Sequence, residues 1–275
     1  MNLEKYFISQ FHSSAIGDDG AILGSIDNAV VSKDAFYENV HFKSSWMSYY
    51  QIAKKAMIIN ISDAIAMNAK PKYILLSVAM PKSITKSQMR ELAQGFEDVA
   101  KEYGATIVGG DTISNSKLDI TVTVISTAPK PLKRSGLKSG YLLAYTGVLG
   151  KSAKELKKLF NLGKIHKQSK FVDIKLNQKF ITKTSRVLSS GMDLSDGLFS
   201  DLEKLSELNK IGFKFIKEID KKTACSGEEY EMLIAFDKRN RKSVLRRAKI
   251  SRTKLNIFAV ATRAKYTNRC KSHHF

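Results

Sequence analysis

The carboxylates of this chain collect in a few short segments rich in glycine or small residues. Asp18 and Asp19 are adjacent in "IGDDGAI" (16–22), Asp34 stands in "VSKDAF", Asp63 in "NISDAIAM", Asp111 in "VGGDT", and Asp193 and Asp196 in "MDLSDG". Adjacent like charges repel and need a cation, a hydrogen-bonding partner or full solvation. Each segment alone is compatible with a turn or a helix N-cap. As a set converging on one site they demand cations. Hard oxygen donors without His or Cys clusters suit Mg²⁺ rather than Zn²⁺. Mg²⁺ held by one or two carboxylates keeps its other positions for water and phosphate oxygens. The chemistry implied is a multi-Mg²⁺ site for a polyphosphate such as ATP. The glycines of "GDDG" and "GGD" would let backbone N–H groups approach phosphate.

One phosphate motif is a decoy. "TGVLGKSAKEL" resembles a P-loop at Gly150-Lys151-Ser152, but the required upstream glycine position is Tyr145. It reads as a tight strand-to-helix turn.

The bulk numbers narrow the class. The chain has 275 residues, 43% hydrophobic and 26% charged, an ordinary globular composition for one large or two medium domains. No apolar run reaches the length of a membrane span, and "MNLEKYFISQF" lacks the pattern of a secretion signal. Cys225 and Cys270, without a CxxC, do not read as a disulfide scaffold, and a reducing cytoplasm is the expected setting. The formal net charge is +20, from 46 Lys+Arg against 26 Asp+Glu. Nucleic-acid binding is one reading of that excess. A lysine-rich solvated surface is preferred, because the densest basic stretch (237–254) has no interleaved aromatics for stacking. It reads instead as an amphipathic helix with Val244, Leu245 and Ala248 inward.

The elements that must hold the carboxylates alternate between strand and helix. Helices are expected over 3–11, 49–69, 83–104 (capped by Ser87 or Thr85 and ended by Gly104), 151–160, 180–190 and 198–210. Strands are expected over 20–33 (two, joined by a polar turn), 72–80, 105–110, 117–127, 141–147, 212–216, 230–236 and 255–262. Residues 191–197 read as a loop, and 161–179 is polar without a clear pattern. The Pro- and Gly-bearing stretch 128–140 marks a junction between domains 1–130 and 131–275. The class is α+β with α/β-like alternation.

With these motifs in this order, the sequence resembles the thiamine-monophosphate kinases, of the superfamily that also holds aminoimidazole ribonucleotide synthase and selenophosphate synthetase. The resemblance runs over nearly the whole chain, through "IGDDGAI", "VSKDAFYENVHF", "NISDAIAMNAKPKYILLSVAMP", "IVGGDT", "RSGLKSGYLLAYTGVLG", "MDLSDGLFSDL", "SGEEYEML" and the terminal "HHF". It implies the two-domain architecture of that superfamily, an N-terminal ATP/Mg-binding domain that dimerises, and direct transfer of the ATP γ-phosphoryl group to thiamine monophosphate with no phosphoenzyme. It further implies that Asp18, Asp34, Asp63, Asp111, Asp193 and Asp196 hold Mg²⁺. Gly110, Asp111, Arg134 and Ser195 would contact ATP, and His41 and Glu228 the thiamine phosphate. A guanidinium such as Arg134 can grip phosphate with two donors. The chain departs from the family at Lys33 and Ala35, which flank Asp34 where a small hydroxyl residue is usual. It has "SGEEYE" for Gly-Gly-Glu-Asp-Tyr-Glu, Ser272 for an aromatic, and no Pro-x-Pro-Arg in 161–179. A sibling ATP-dependent enzyme with another substrate is the alternative, and a nucleic-acid binder ranks last.

Overall fold

The computed structural model describes residues 3–13 and 23–271. The "IGDDGAI" segment, with Asp18 and Asp19, and the last four residues, with Ser272 and "HHF", lie outside them. The chain forms two compact units, one of residues 1–64 with 69–129 and one of 65–68 with 130–275.

The first unit contains α1 (Leu3–Ile8), β1 (Ala29–Tyr37), α2 (Tyr49–Ala66), β2 (Lys70–Pro81), α3 (Lys86–Tyr103), β3 (Thr106–Asn115) and β4 (Asp119–Thr127). Its four strands run in the order β1-β4-β2-β3, antiparallel except for the β2–β3 pair. Alternation along β4 sends Ile120, Val122 and Val124 into the core while Thr121 and Thr123 face the other way. α3 buries Met89, Leu92, Phe96 and Val99 at helical spacing. A capping box closes its start. Thr85 accepts from the Gln88 backbone, and the Gln88 side chain accepts from Thr85 N–H. Gly104 ends it in the left-handed region at φ 66°.

The second unit contains β5 (Leu142–Thr146), α4 (Lys151–Phe160), α5 (Gln178–Thr184), β6 (Ser190–Asp193), α6 (Leu198–Asn209), β7 (Gly212–Phe215), α7 (Lys221–Ala224), β8 (Met232–Phe236), α8 (Arg241–Ile250) and β9 (Leu255–Thr262). Its sheet has the order β6-β8-β5-β9-β7, and all its pairs are antiparallel. β8 is an interior strand, paired on both sides and buried along its whole length, which is why "MLIAF" is a continuous apolar run. The mixture of helices and sheets is the expected α+β class. No described helix is long and apolar enough to cross a membrane.

Several local expectations change. Residues 29–37 form one strand that carries on through Lys33 and Asp34, because β4 pairs with it along its whole length. Residues 190–193 are a strand rather than loop, paired with β8. In α8, Val244 and Ala248 are buried but Leu245 is 39% exposed. Cys225 and Cys270 form a disulfide, with Cα atoms 5.6 Å apart. Their spacing of 45 residues gave no sign of it.

Candidate active site

In the first unit, α2 supports β1 at its free edge. Asn60 is fully buried, and its Oδ1 accepts the backbone N–H of Asp34 at 2.7 Å. Its own carbonyl accepts from Ser32 Oγ at 3.2 Å. Asp63 lies three residues further along the same helix and so on the same face as Asn60. Asn60 thus ties Asp34 and Asp63 to one neighbourhood. Lys33 alternates to the other face of β1, so its charge does not intrude on Asp34. Phe36, on the Asp34 face, stacks on Phe42 at 4.7 Å, and the buried Lys55 ammonium sits 5.7 Å from its ring centre.

His41 follows β1 in a tight turn. Its backbone N–H donates to Tyr37 O, and its Nδ1 accepts from the Tyr37 N–H at 3.0 Å. With Nδ1 used as an acceptor, the neutral ring carries its proton on Nε2.

Asp111 is placed by a bulge. β2 and β3 slip register between Ile74 and Leu75, where Ile107 pairs with Ile74 but Gly109 pairs with Leu75. The extra residue, Val108, reverses the alternation that follows. Asp111 therefore falls in the row Ala35–Thr121–Ser77–Asp111, on the face away from the helices. Asp34 falls in the row Asp34–Val122–Leu76–Gly110, on the helix face. Gly110 is required by the same bulge. Its φ is +156°, and a Cβ there would overlap the Leu76 carbonyl oxygen. The glycines of "VGGD" thus have a structural reason of their own, besides any approach to phosphate.

In the second unit, two loops are stitched together. Glu228 N–H donates to Ser195 O (2.7 Å), Tyr230 N–H to Leu194 O (2.8 Å) and Leu194 N–H to Glu231 O (2.8 Å). "MDLSDG" and "SGEEYE" are therefore one composite wall carrying Asp193, Ser195, Asp196 and Glu228. Glu228 and Tyr230 take φ of 53° and 48°, a region non-glycine residues rarely occupy. Asp193 is 3% exposed. Lys204 of α6 bonds Asp196 (2.6 Å) and the buried Asp201 (2.7 Å). Burial pushes the Asp201 carboxyl up to about 7, against the pull of Lys204. Burial alone would lower Lys204; the Asp201 and Asp196 carboxylates outweigh it and hold the ammonium above its usual range. The exposed Arg134 has its backbone fixed, its carbonyl accepting from Ser190 Oγ (2.7 Å) and Asn209 Nδ2 (3.0 Å).

The P-loop decoy is explained here. Glu229 Oε1 accepts from Gly150 N–H (2.8 Å), Ser152 N–H (3.1 Å) and Ser226 Oγ (2.6 Å). An internal carboxylate thus occupies the start of α4, where a P-loop would take phosphate.

The structure groups Asp34 with Asp63 around Asn60, and Asp193, Ser195 and Asp196 with Glu228. It does not put Asp34 and Asp111 on one sheet face. Among the described residues no three His, Cys, Asp or Glu side chains form a metal-holding group. Asn60, Asp201, Lys204, Glu229, Glu231 and Lys170 were not singled out from the sequence. Asn60 and Asp201 sat inside motifs that had been read, three residues before Asp63 and five after Asp196.

A family model described as AIR synthase related protein, N-terminal domain, matches residues 17–128. The thiamine-monophosphate kinase of Bacillus subtilis (strain 168) is 33% identical over 230 residues, 76% of this chain and 69% of that protein. The chain belongs to the thiamine-monophosphate kinase family. Two solved structures share the fold of this family member at low identity. Thiamine-monophosphate kinase from Stenotrophomonas maltophilia K279a has a TM-score of 0.82 at 21% identity, covering 91% of this chain and 88% of that one. AaThiL complexed with AMPPCP and TMP has a TM-score of 0.81 at 21% identity, covering 96% and 93%.

Proposed function

We propose that this family member transfers the γ-phosphoryl group of ATP directly to thiamine monophosphate, giving thiamine diphosphate and ADP. The carrying observation is its 33% identity to the Bacillus subtilis enzyme of that name across 76% of the chain. That AaThiL, of the same fold, binds AMPPCP and TMP together supports a single-site transfer. A phosphate oxyanion is already a competent nucleophile, so no strong base is needed. Catalysis rests on positioning and charge neutralisation.

In this reading Arg134, Gly110, Asp111 and Ser195 contact ATP, and His41 and Glu228 contact thiamine monophosphate. The Nδ1 bond from Tyr37 N–H fixes the His41 ring, and the fixed backbone of Arg134 limits where its guanidinium can search. The donor set of Asp18, Asp34, Asp63, Asp111, Asp193 and Asp196 is all hard carboxylate oxygen, which fits Mg²⁺. Of these, Asp34 with Asp63 and Asp193 with Asp196 stand as pairs on shared supports, in keeping with an ion that takes one or two carboxylates apiece. Bound Mg²⁺ would supply neutralisation of the polyphosphate charge. Lys204, bonded to Asp196, offsets part of that loop's own charge.

The first unit also supports a homodimer. The sheet face away from its helices exposes the apolar Val31 (62%), Ile113 (56%) and Leu75 (38%) beside the polar Lys33, Ser77, Thr121 and Asp111, a mixed surface open to a second copy. Domains 1–130 and 131–275 are assigned the nucleotide-binding and dimerising role and the α+β role respectively. A cytoplasmic setting is assigned with the biosynthetic role.

The test is ADP release with thiamine monophosphate, thiamine or no acceptor, with and without Mg²⁺. Release that needs both Mg²⁺ and thiamine monophosphate is expected. A folded protein that binds Mg-ATP but ignores thiamine monophosphate would sink the reading.

A further inference from the structure

Lys170 lies in the polar 161–179 stretch that no sequence pattern explains. Its ammonium is 2.8 Å from Glu229 Oε2, 2.8 Å from Glu231 Oε1 and 2.7 Å from Val148 O. The side chains are 15%, 1% and 9% exposed for Lys170, Glu229 and Glu231 respectively. Two carboxylates this buried and this close cannot both stay ionised without such a cation.

Both carboxylates are anchored elsewhere as well. Glu229 holds the start of α4 through Gly150 and Ser152, as described above. Glu231 Oε2 accepts from Thr146 Oγ1 (2.6 Å) and Asn177 Nδ2 (2.9 Å), and Thr146 Oγ1 in turn accepts from Met232 N–H (2.9 Å). Gly147 lets the Glu231 carboxylate lie directly against the backbone, where a Cβ would overlap it. Lys170 therefore joins β5, α4 and the 226–231 segment at one atom.

The residues clamped in this way flank Glu228 and Tyr230, the two non-glycine residues of that segment held at positive φ. A strained backbone of this kind persists only where its surroundings over-determine it. The same segment is bonded to Leu194 and Ser195 of the "MDLSDG" loop.

We propose that Lys170 is a positioning residue for the kinase site. By neutralising Glu229 and Glu231 together, it fixes the backbone on which Glu228 is presented to thiamine monophosphate and Ser195 to ATP. The inference rests on the kinase reading for its substrate, and on the ion cluster alone for its mechanics.

The test compares Lys170→Met with the conservative Lys170→Arg. Lys170→Met is expected to raise KM for thiamine monophosphate and lower kcat/KM by roughly 10- to 100-fold, the effect of misplacing a contact by about 1 Å. Lys170→Arg, which keeps the charge, is expected to recover most of that loss. Should Lys170→Met not fold, the triple variant Lys170→Met/Glu229→Gln/Glu231→Gln removes the unpaired charges and decides in its place, with the same raised KM expected. A folded Lys170→Met or triple variant with wild-type KM and kcat overturns the proposal. Hydrogen exchange at the Glu228 and Tyr230 amides needs no substrate and separates the two readings. Wild-type protein inactive with thiamine monophosphate, but with exchange at those amides at least about tenfold faster in Lys170→Met, sinks the kinase reading and keeps the clamp. Unchanged exchange sinks the clamp.

Discussion

Gly109 and Gly110 offer a controlled experiment within two residues. Their φ values are +155° and +156°, so alanine at either site meets the same backbone strain. That strain costs about 1–3 kcal/mol. Their surroundings differ. A Cβ on Gly109 would touch only Leu75 Cδ2, at 3.6 Å, an ordinary contact with a flexible side chain. A Cβ on Gly110 would lie 2.6 Å from Leu76 C and 2.8 Å from Leu76 N, and closer still to the Leu76 carbonyl oxygen. Those atoms belong to the middle of β2, which is paired on both sides and cannot retreat alone. Overpacking of that kind adds about 1–3 kcal/mol. Gly110→Ala should therefore destabilise by about 2–6 kcal/mol and Gly109→Ala by about 1–3. Trp46 is the only tryptophan and lies in the same unit, so urea unfolding followed by its fluorescence reads that unit selectively. Equal losses in the two variants, or a Gly110→Ala loss below about 1 kcal/mol, the lower bound of the strain, would refute the bulge geometry and with it the placement of Asp111.

Cys270→Ser, compared with the oxidised wild type, should lower stability by about 4 kcal/mol, from the loop entropy of a 45-residue crosslink. Thiol titration of the unfolded, unreduced protein should find no free thiol; two would refute the pairing. Asp63→Asn keeps the shape of a half-buried side chain but removes its charge, and should cut kinase turnover about 10²- to 10³-fold with the Trp46 unfolding midpoint unmoved. Loss of folding instead would make Asp63 a structural residue. At the second unit's surface, the side-chain hydrogen bond from Arg239 holds the Asp237 carboxyl down at about 2, against 3.8 for the free group. Because the folded value is depressed, its contribution is present above pH 3.8 and is lost as pH falls through 2. Carboxyl NMR of Arg239→Ala should show the midpoint return toward 3.8, and an unchanged midpoint would exclude Arg239 as the cause.

What could be read from the sequence follows the range of the forces involved. α3, expected over 83–104 with Ser87 or Thr85 as cap, was legible to within three residues, because Thr85 and Gly104 act within one turn of the backbone they cap. The strand expected to end at Lys33 runs on through Asp34 to Tyr37. β4 extends it by pairing through to Tyr37. The bulge at Val108 left only two glycines as a trace, and they were read as phosphate-approach residues. Their contacts, Gly109 with Leu75 and Gly110 with Leu76, depend on a strand more than thirty positions earlier, which no local pattern encodes. The motifs located the Asp-bearing segments, but not which of them share a face.

The lysines carry the same lesson further. A formal charge of +20 suggested a solvated basic surface, and for the basic α8 that holds. Yet Lys55 is fully buried over Phe36, Lys170 is clamped between two buried carboxylates, and Lys204 serves Asp196 and Asp201. A cation already matched to an internal carboxylate is not available to a polyanion's phosphates. Lys170 and Lys204 are matched in this way, and Lys55 is withheld by its burial. Net charge therefore overstates what the chain can offer nucleic acid, because lysines such as Lys170 and Lys204 are spent on internal carboxylates.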